Sequence, residues 1–178
     1  MMPAALAPTW QKLEESRLQL LSLLENKPSE RFTQIPADEG WTLSQVLHHF
    51  GDVEGGVALY LQKKIDAQQT ATEPLKDSGM ATKLRYLSLK GALAAPVKIK
   101  APDIVANVPR CTFEQGKAHW EKSRLALQAI ATYFPTQLLG KEIFKHPLAG
   151  ALDMEQTLSF IHLHHQHHQA QIKRLLEL

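Results

Sequence analysis

The sequence predicts an all-α fold, a four-helix bundle with a long crossover between the second and third long helices. Four long stretches place apolar residues at intervals of three and four, the repeat that lines one face of a helix. Three of them open on a capping-box pair: Thr42 with Gln45, Thr112 with Gln115, and Asp153 with Gln156. The one segment rich in Val and Ile is interrupted by Pro96, Pro102 and Pro109, and no second strand is available to pair with it. Amphipathic helices of this kind bury their stripes against one another as a bundle.

The first helix is expected over Thr9 to Asn26, with Leu13, Leu20, Leu21 and Leu24 on its apolar face. Thr9 can cap its start, and Pro28 forces the chain out of the helix beyond its end. Residues 28–40 read as a loop. The second helix opens at Gly40-Trp41, capped by Thr42, and can reach Gln69. Its stripe is Leu43, Val46, Leu47, Phe50, Val53, Val57, Tyr60 and Leu61. Gly51, Gly55 and Gly56 weaken it somewhat, but their spacing also lets a neighbouring helix approach closely. A shorter helix fits Ala81 to Leu93, followed by the Pro-punctuated crossover. The third long helix starts at Thr112, carries Phe113, Trp120, Leu125, Leu127 and Ile130, and runs to about Phe134, where Pro135 stops it. A loop with His146-Pro147-Leu148-Ala149-Gly150 leads to the fourth helix. That helix is capped by Asp153 and continues to the C-terminus.

Composition narrows the function classes. A chain of 178 residues fits a single domain, here 1–178. At this size roughly 70% of the unfolded chain's surface is buried, so folding needs no disulfide or structural metal. The single cysteine, Cys111, cannot form an internal bridge; it suggests a reducing compartment and reads as a bystander, not a nucleophile. The 20 basic and 18 acidic side chains nearly balance, which argues against a nucleic-acid partner. Met1 to Pro8 lacks the charged start and apolar core of a signal peptide, and no window reaches the ~20 apolar residues of a membrane span. The expected location is the cytoplasm, with no membrane partner.

The feature that remains is histidine. Five of the nine histidines fall between His162 and His168. Residues four apart on a helix lie one turn above each other, so His164 and His168 can reach one ion. His165 and His168 form a rival pair. The stripe of Leu158, Ile161, His165, His168, Ile172 and Leu175 turns His168 toward the bundle interior, but spacing alone does not choose between His164 and His165. A third ligand must come from another helix. His48 and His49 are the first candidates, His119 is weaker, and His146 sits in a loop.

Trp41-Thr42-Leu43-Ser44-Gln45-Val46-Leu47-His48-His49 resembles the start of the second helix in the DinB / YfiT-like superfamily, where a tryptophan and a small hydroxyl residue open the helix and a histidine follows two turns on. His164-x-x-His167-His168-x-x-Gln171-Ile172 resembles the last-helix motif of that superfamily. His146-Pro147-Leu148-Ala149-Gly150 resembles the His-Pro-x-x-Gly loop of its DinB-like members. The resemblance implies a four-helix bundle with one divalent metal on three histidines, which fall on His49, His164 and His168. His167 and Gln171 become neighbours of that site. A homodimer is also common for the superfamily.

Three neutral imidazoles leave a divalent ion's charge unneutralised and its coordination open, the pattern of catalytic rather than structural zinc. Such an ion draws the pKa of bound water toward about 7 or holds a thiol as thiolate. Zinc and nickel fit first, and manganese and iron are compatible because imidazole discriminates weakly. Asp52, one turn after His48, is the candidate catalytic or histidine-orienting acid, set against a purely structural role. Glu54 points away and reads as structural. Trp41 reads as a core anchor below the site, with lining a pocket as the alternative, and Arg110 and Lys145 could hold an anionic substrate. The resemblance implies a metal-dependent hydrolase or thiol-dependent S-transferase acting on a small molecule with or without a thiol co-substrate. The competing expectation is a non-catalytic metal-binding or stress-related bundle.

Overall fold

The computed structural model describes residues 1–95 and 107–177. Its helices are α1 (Ala7–Leu24), α2 (Ser29–Thr33), α3 (Leu43–Gln68), α4 (Met80–Ala94), α5 (Phe113–Thr132) and α6 (Met154–Leu176), with a 3-10 turn at Thr136–Leu138. Two short strands, β1 (Phe144–His146) and β2 (Gly150–Leu152), pair antiparallel with Phe144 opposite Leu152 and His146 opposite Gly150. The fold is all-α, with the long helices α1, α3, α5 and α6 as a bundle. The described part of the crossover holds α4, which packs on α6. Its Val- and Ile-rich portion, with Pro96 and Pro102, lies outside the described residues.

All three capping boxes form. Thr42 Oγ1 accepts from the Gln45 backbone N–H, and the Gln45 side chain accepts from the Thr42 N–H. Thr112 with Gln115 and Asp153 with Gln156 repeat the arrangement. These caps fix where α3, α5 and α6 begin, and hence which residues share each face.

Four expectations need correction. The first helix starts at Ala7 and ends at Leu24. Pro8 in its first turn brings a helix-ready φ and no N–H to satisfy, so Thr9 is an interior residue and not the cap. The stretch 28–40 is not wholly loop, because Ser29–Thr33 closes one helical turn that buries Phe32. The third long helix stops at Thr132, with Tyr133 as its C-cap. The loop before the fourth helix contains the β1–β2 hairpin, in which Gly150 takes φ of 79°, a left-handed value that favours glycine.

The core has two adjoining parts. One gathers Leu13, Leu61, Leu127, Leu152, Leu158 and Ile161; the other gathers Leu20, Leu47, Phe50, Trp120 and Ile172. Glycine sets the close contact between α3 and α5. A Cβ on Gly116 would lie 2.6 Å from the Ser44 carbonyl oxygen, and one on Gly51 would lie 2.4 Å from His119 Cδ2. Both are shorter than any stable contact, so the helices meet at this spacing only because those positions lack side chains. None of the helices among the described residues is long and apolar enough to cross a membrane.

Candidate metal centre

α3 delivers His49 and α6 delivers His164 and His168 to one place. His49 Nε2 lies 3.1 Å from His164 Nε2, and His168 Nε2 also lies 3.1 Å from His164 Nε2. One nitrogen from each ring falls within 4.8 Å of the other two. His49 and His164 are buried and His168 is half-buried, at the base of a cleft between α3, α4, α6 and the hairpin.

The surroundings keep His164 and His168 neutral. Burial, reinforced by the neighbouring histidines, holds His164 well below the ordinary imidazole range. Burial and then His49 bring His168 down to about 3. The Phe50 ring lies edge-on to both, with centroids at 5.8 Å from His164 and 5.5 Å from His168. Trp41 covers another side, 4.6 Å from His49 and 6.4 Å from His168. Of the two expectations for Trp41, the structure favours pocket lining: it is half-buried and lines the cleft.

The ring tautomers follow from the partners. His168 Nδ1 lies 2.7 Å from Gln171 Oε1, an oxygen that can only accept, so Nδ1 carries the proton and Nε2 presents its lone pair toward His164. A partner that fixes the far nitrogen in this way is what metal-binding histidines use. His164 Nε2 faces two other Nε2 atoms at once, while its Nδ1 is buried with no hydrogen-bond partner among the described residues. One imidazole nitrogen cannot satisfy both neighbours by hydrogen bonding: it holds one proton or one lone pair. A cation shared by the three lone pairs removes that conflict. Ligands bonded at ~2.0–2.1 Å around one ion sit roughly 3 Å apart, which the 3.1 Å separations match. The residues present therefore fit a divalent metal.

His165, the rival of His164, is engaged elsewhere. Its Nε2 lies 3.0 Å from Glu54 Oε1 and its Nδ1 3.3 Å from Ser16 Oγ. Glu54 is fully buried, and its Oε1 also accepts from Trp120 Nε1 at 2.7 Å and Arg124 Nη2 at 2.5 Å. Glu54 is structural, as expected. Its network joins α1, α3, α5 and α6 behind the three-histidine cluster, and its composition escaped sequence reading. The available signal was a Trp and an Arg four apart on α5, able to meet one acid.

Other expected residues are distributed as follows. The Asp52 carboxylate lies 3.1 Å from His48 Nδ1 and 2.9 Å from His119 Nε2. His48 and His119 thus group with Asp52 and not with the three converging rings. His167 donates from Nδ1 to the Leu93 carbonyl at 3.0 Å, tying α6 to α4. His146 accepts at Nδ1 from the Leu148 and Ala149 N–H groups, so its proton sits on Nε2, and burial lowers it to about 4. Lys145 lines the cleft and Arg110 does not, whereas Arg85 and Arg174 do. Cys111 is half-buried, with burial and then Asp52 raising its thiol above the ordinary value. A thiol held protonated in this way is a poor nucleophile.

No curated protein and no solved structure matches the chain. The family model of the DinB superfamily matches residues 12–172, from the first helix to the turn of α6 that follows His168. With that match spanning nearly every element and all three converging histidines, the chain belongs to the DinB superfamily.

Proposed function

We propose that the protein is a metal-dependent enzyme, a hydrolase or a thiol-dependent S-transferase, with His49, His164 and His168 as the ligands of one divalent ion. The observation that supports this reading is the convergence of three imidazoles at the base of an open cleft. A closed structural zinc site takes four protein donors, usually with cysteine. Zinc or nickel is the proposed ion, and the same donors accept manganese or iron. When bound, the ion supplies Lewis acidity, which lowers the pKa of a coordinated water or thiol toward neutrality.

The chain's own residues prepare that chemistry. Gln171 holds the His168 ring with its lone pair inward. Phe50 packs edge-on against His164 and His168, whose burial keeps both unprotonated at neutral pH, and Trp41 packs on His49. Above them, Leu89, Phe144 and Leu163 supply apolar wall, and Lys145 and Arg174 supply positive charge. Such a cleft suits a small molecule with an apolar body and an anionic group. A thiol co-substrate belongs to the transferase form of the proposal. Neither a nucleic acid nor a membrane is a proposed partner.

The test is a turnover screen of zinc- and nickel-loaded protein with ester and amide substrates, and with thiols plus an electrophilic acceptor, beside His168→Ala. Turnover in the wild type that His168→Ala abolishes is expected. A metal-loaded protein inert in both halves of the screen would overturn the enzyme reading in favour of a non-catalytic metal binder.

A further inference from the structure

A second constellation of donors lies beside the first on α3, where His48 and Asp52 also line the cleft. His48 and Asp52 are one helical turn apart on α3, and His119 reaches them from α5. Asp52 Oδ2 is 3.1 Å from His48 Nδ1, and Asp52 Oδ1 is 2.9 Å from His119 Nε2. The two imidazoles stack with centroids 4.1 Å apart and planes inclined by 21°. One donor atom from each of the three residues lies within 4.8 Å of the others. All three side chains are partly open to solvent, at 18% for His48, 27% for Asp52 and 35% for His119. An ion and its waters can therefore reach them.

The local sequence builds this arrangement. His119 fits against α3 only because position 51 is glycine, where a Cβ would meet its Cδ2 at 2.4 Å. His48 and His49 are neighbours in sequence, about 100° apart around the helix axis. His49 consequently faces α6 while His48 faces α5.

We propose that His48, Asp52 and His119 form a second divalent transition-metal site, separate from the three-histidine cluster. Two imidazoles and a carboxylate are a donor set for zinc, cobalt, manganese or iron, whereas magnesium and calcium favour oxygen donors. The carboxylate offsets one positive charge of the ion, an advantage that the three-histidine cluster lacks. The observed nitrogen–oxygen separations serve as hydrogen bonds when the rings carry protons on the facing nitrogens. They also match the roughly 3 Å spacing of neighbouring ligands around an ion bonded at ~2.0–2.2 Å. Moving the ring proton to the opposite nitrogen frees the lone pair, and both rings retain solvent-facing surface where that proton can be hydrated. Partial exposure and the need to displace two hydrogen bonds make this the weaker of the two sites.

The alternative is a hydrogen-bonded clamp between α3 and α5 that binds no ion. Metal titration of the full-length chain separates the two. The variant His49→Ala/His168→Ala removes the three-histidine cluster and leaves His48, Asp52 and His119 in place. Cobalt(II) is titrated by absorbance and zinc(II) by calorimetry, with magnesium as the control. The expected result is a second equivalent taken up by the wild type after the first, and a single equivalent kept by the double variant. Adding Asp52→Asn or His119→Ala to the double variant should remove that equivalent, and magnesium should not compete for it. Far-UV circular dichroism checks that each variant is folded, and Asp52→Asn, which keeps the side chain's shape, decides the matter if His119→Ala is not. Absence of metal uptake by the folded double variant would overturn the proposal, as would uptake unaffected by Asp52→Asn.

Discussion

Removing the Glu54 carboxylate should be among the most damaging single changes in this protein. Its Oε1 alone receives Trp120 Nε1, Arg124 Nη2 and His165 Nε2, and the side chain is fully buried. Glu54→Ala leaves the buried Arg124 guanidinium without its close counter-ion, and breaking a buried pair from one side costs about 3–5 kcal/mol. The orphaned indole and imidazole donors add about 1–3 kcal/mol each where no water reaches them. Relief comes from Glu14, whose Oε2 is 4.0 Å from Arg124 Nη1 and is already engaged by Arg17. With Glu14 and entering water offsetting the orphaned donors, the broken pair sets the expectation, a loss of about 4 kcal/mol or more. For a chain of this length it lowers Tm by roughly 8–16 °C. Urea denaturation followed by circular dichroism reads the free energy directly, provided the transition is two-state. Glu54→Leu combined with Arg124→Met should be less damaging than Glu54→Leu alone, because no uncompensated charge remains. A Glu54→Ala loss below about 1 kcal/mol would refute the reasoning, since a buried charge cannot lose its partner so cheaply.

Two glycines on facing helices should respond with opposite sign. Gly116→Ala forces a Cβ to 2.6 Å from the Ser44 backbone oxygen, so about 1–3 kcal/mol of overpacking should exceed the ~1 kcal/mol gained in helix propensity. Gly56→Ala meets nothing within 4 Å and should stabilise by about 0.5–1 kcal/mol; equal effects at the two sites in thermal melts would contradict the packing described. Stability of the metal-free protein should fall with acidification. His146 and His168 drop from an ordinary value of 6.5 to about 4 and about 3, so the folded chain refuses protons that the unfolded chain accepts. The stabilisation is whole above about pH 6.5 and is lost progressively toward pH 4, and denaturation midpoints that stay flat between pH 7.5 and pH 5 would argue against it.

Much of the architecture was legible because it rests on local rules. The caps at Thr42, Thr112 and Asp153 involve residues three apart in sequence, so their pairing with Gln45, Gln115 and Gln156 can be read without knowing the fold. The start of α1 was misplaced because Pro8 and Thr9 both signal an N-terminus, and the proline's fixed φ prevailed. The hairpin around Pro147 was hidden because three-residue strands leave no periodic pattern. At the site, spacing left His164 and His165 equal, and only the superfamily motif favoured His164. The structure supplies the physical difference: His165 is occupied on both nitrogens by Ser16 and Glu54. Those contacts cross 149 and 111 positions of sequence, beyond any local pattern. The pairing of Asp52 with His119 was hidden for the same reason, since it depends on how closely Gly51 lets α5 approach.

The most direct test is the metal retained after gel filtration, measured by plasma mass spectrometry on untagged wild type and on His49→Ala, His164→Ala and His168→Ala, with Gly56→Ala as a folded control. A tightly held ion in the wild type and in Gly56→Ala, lost in each of the three histidine variants, is the predicted result. Retention of that ion in a folded His168→Ala variant would contradict the three-histidine centre, as would a wild type that holds none after reconstitution with zinc, nickel, manganese or iron.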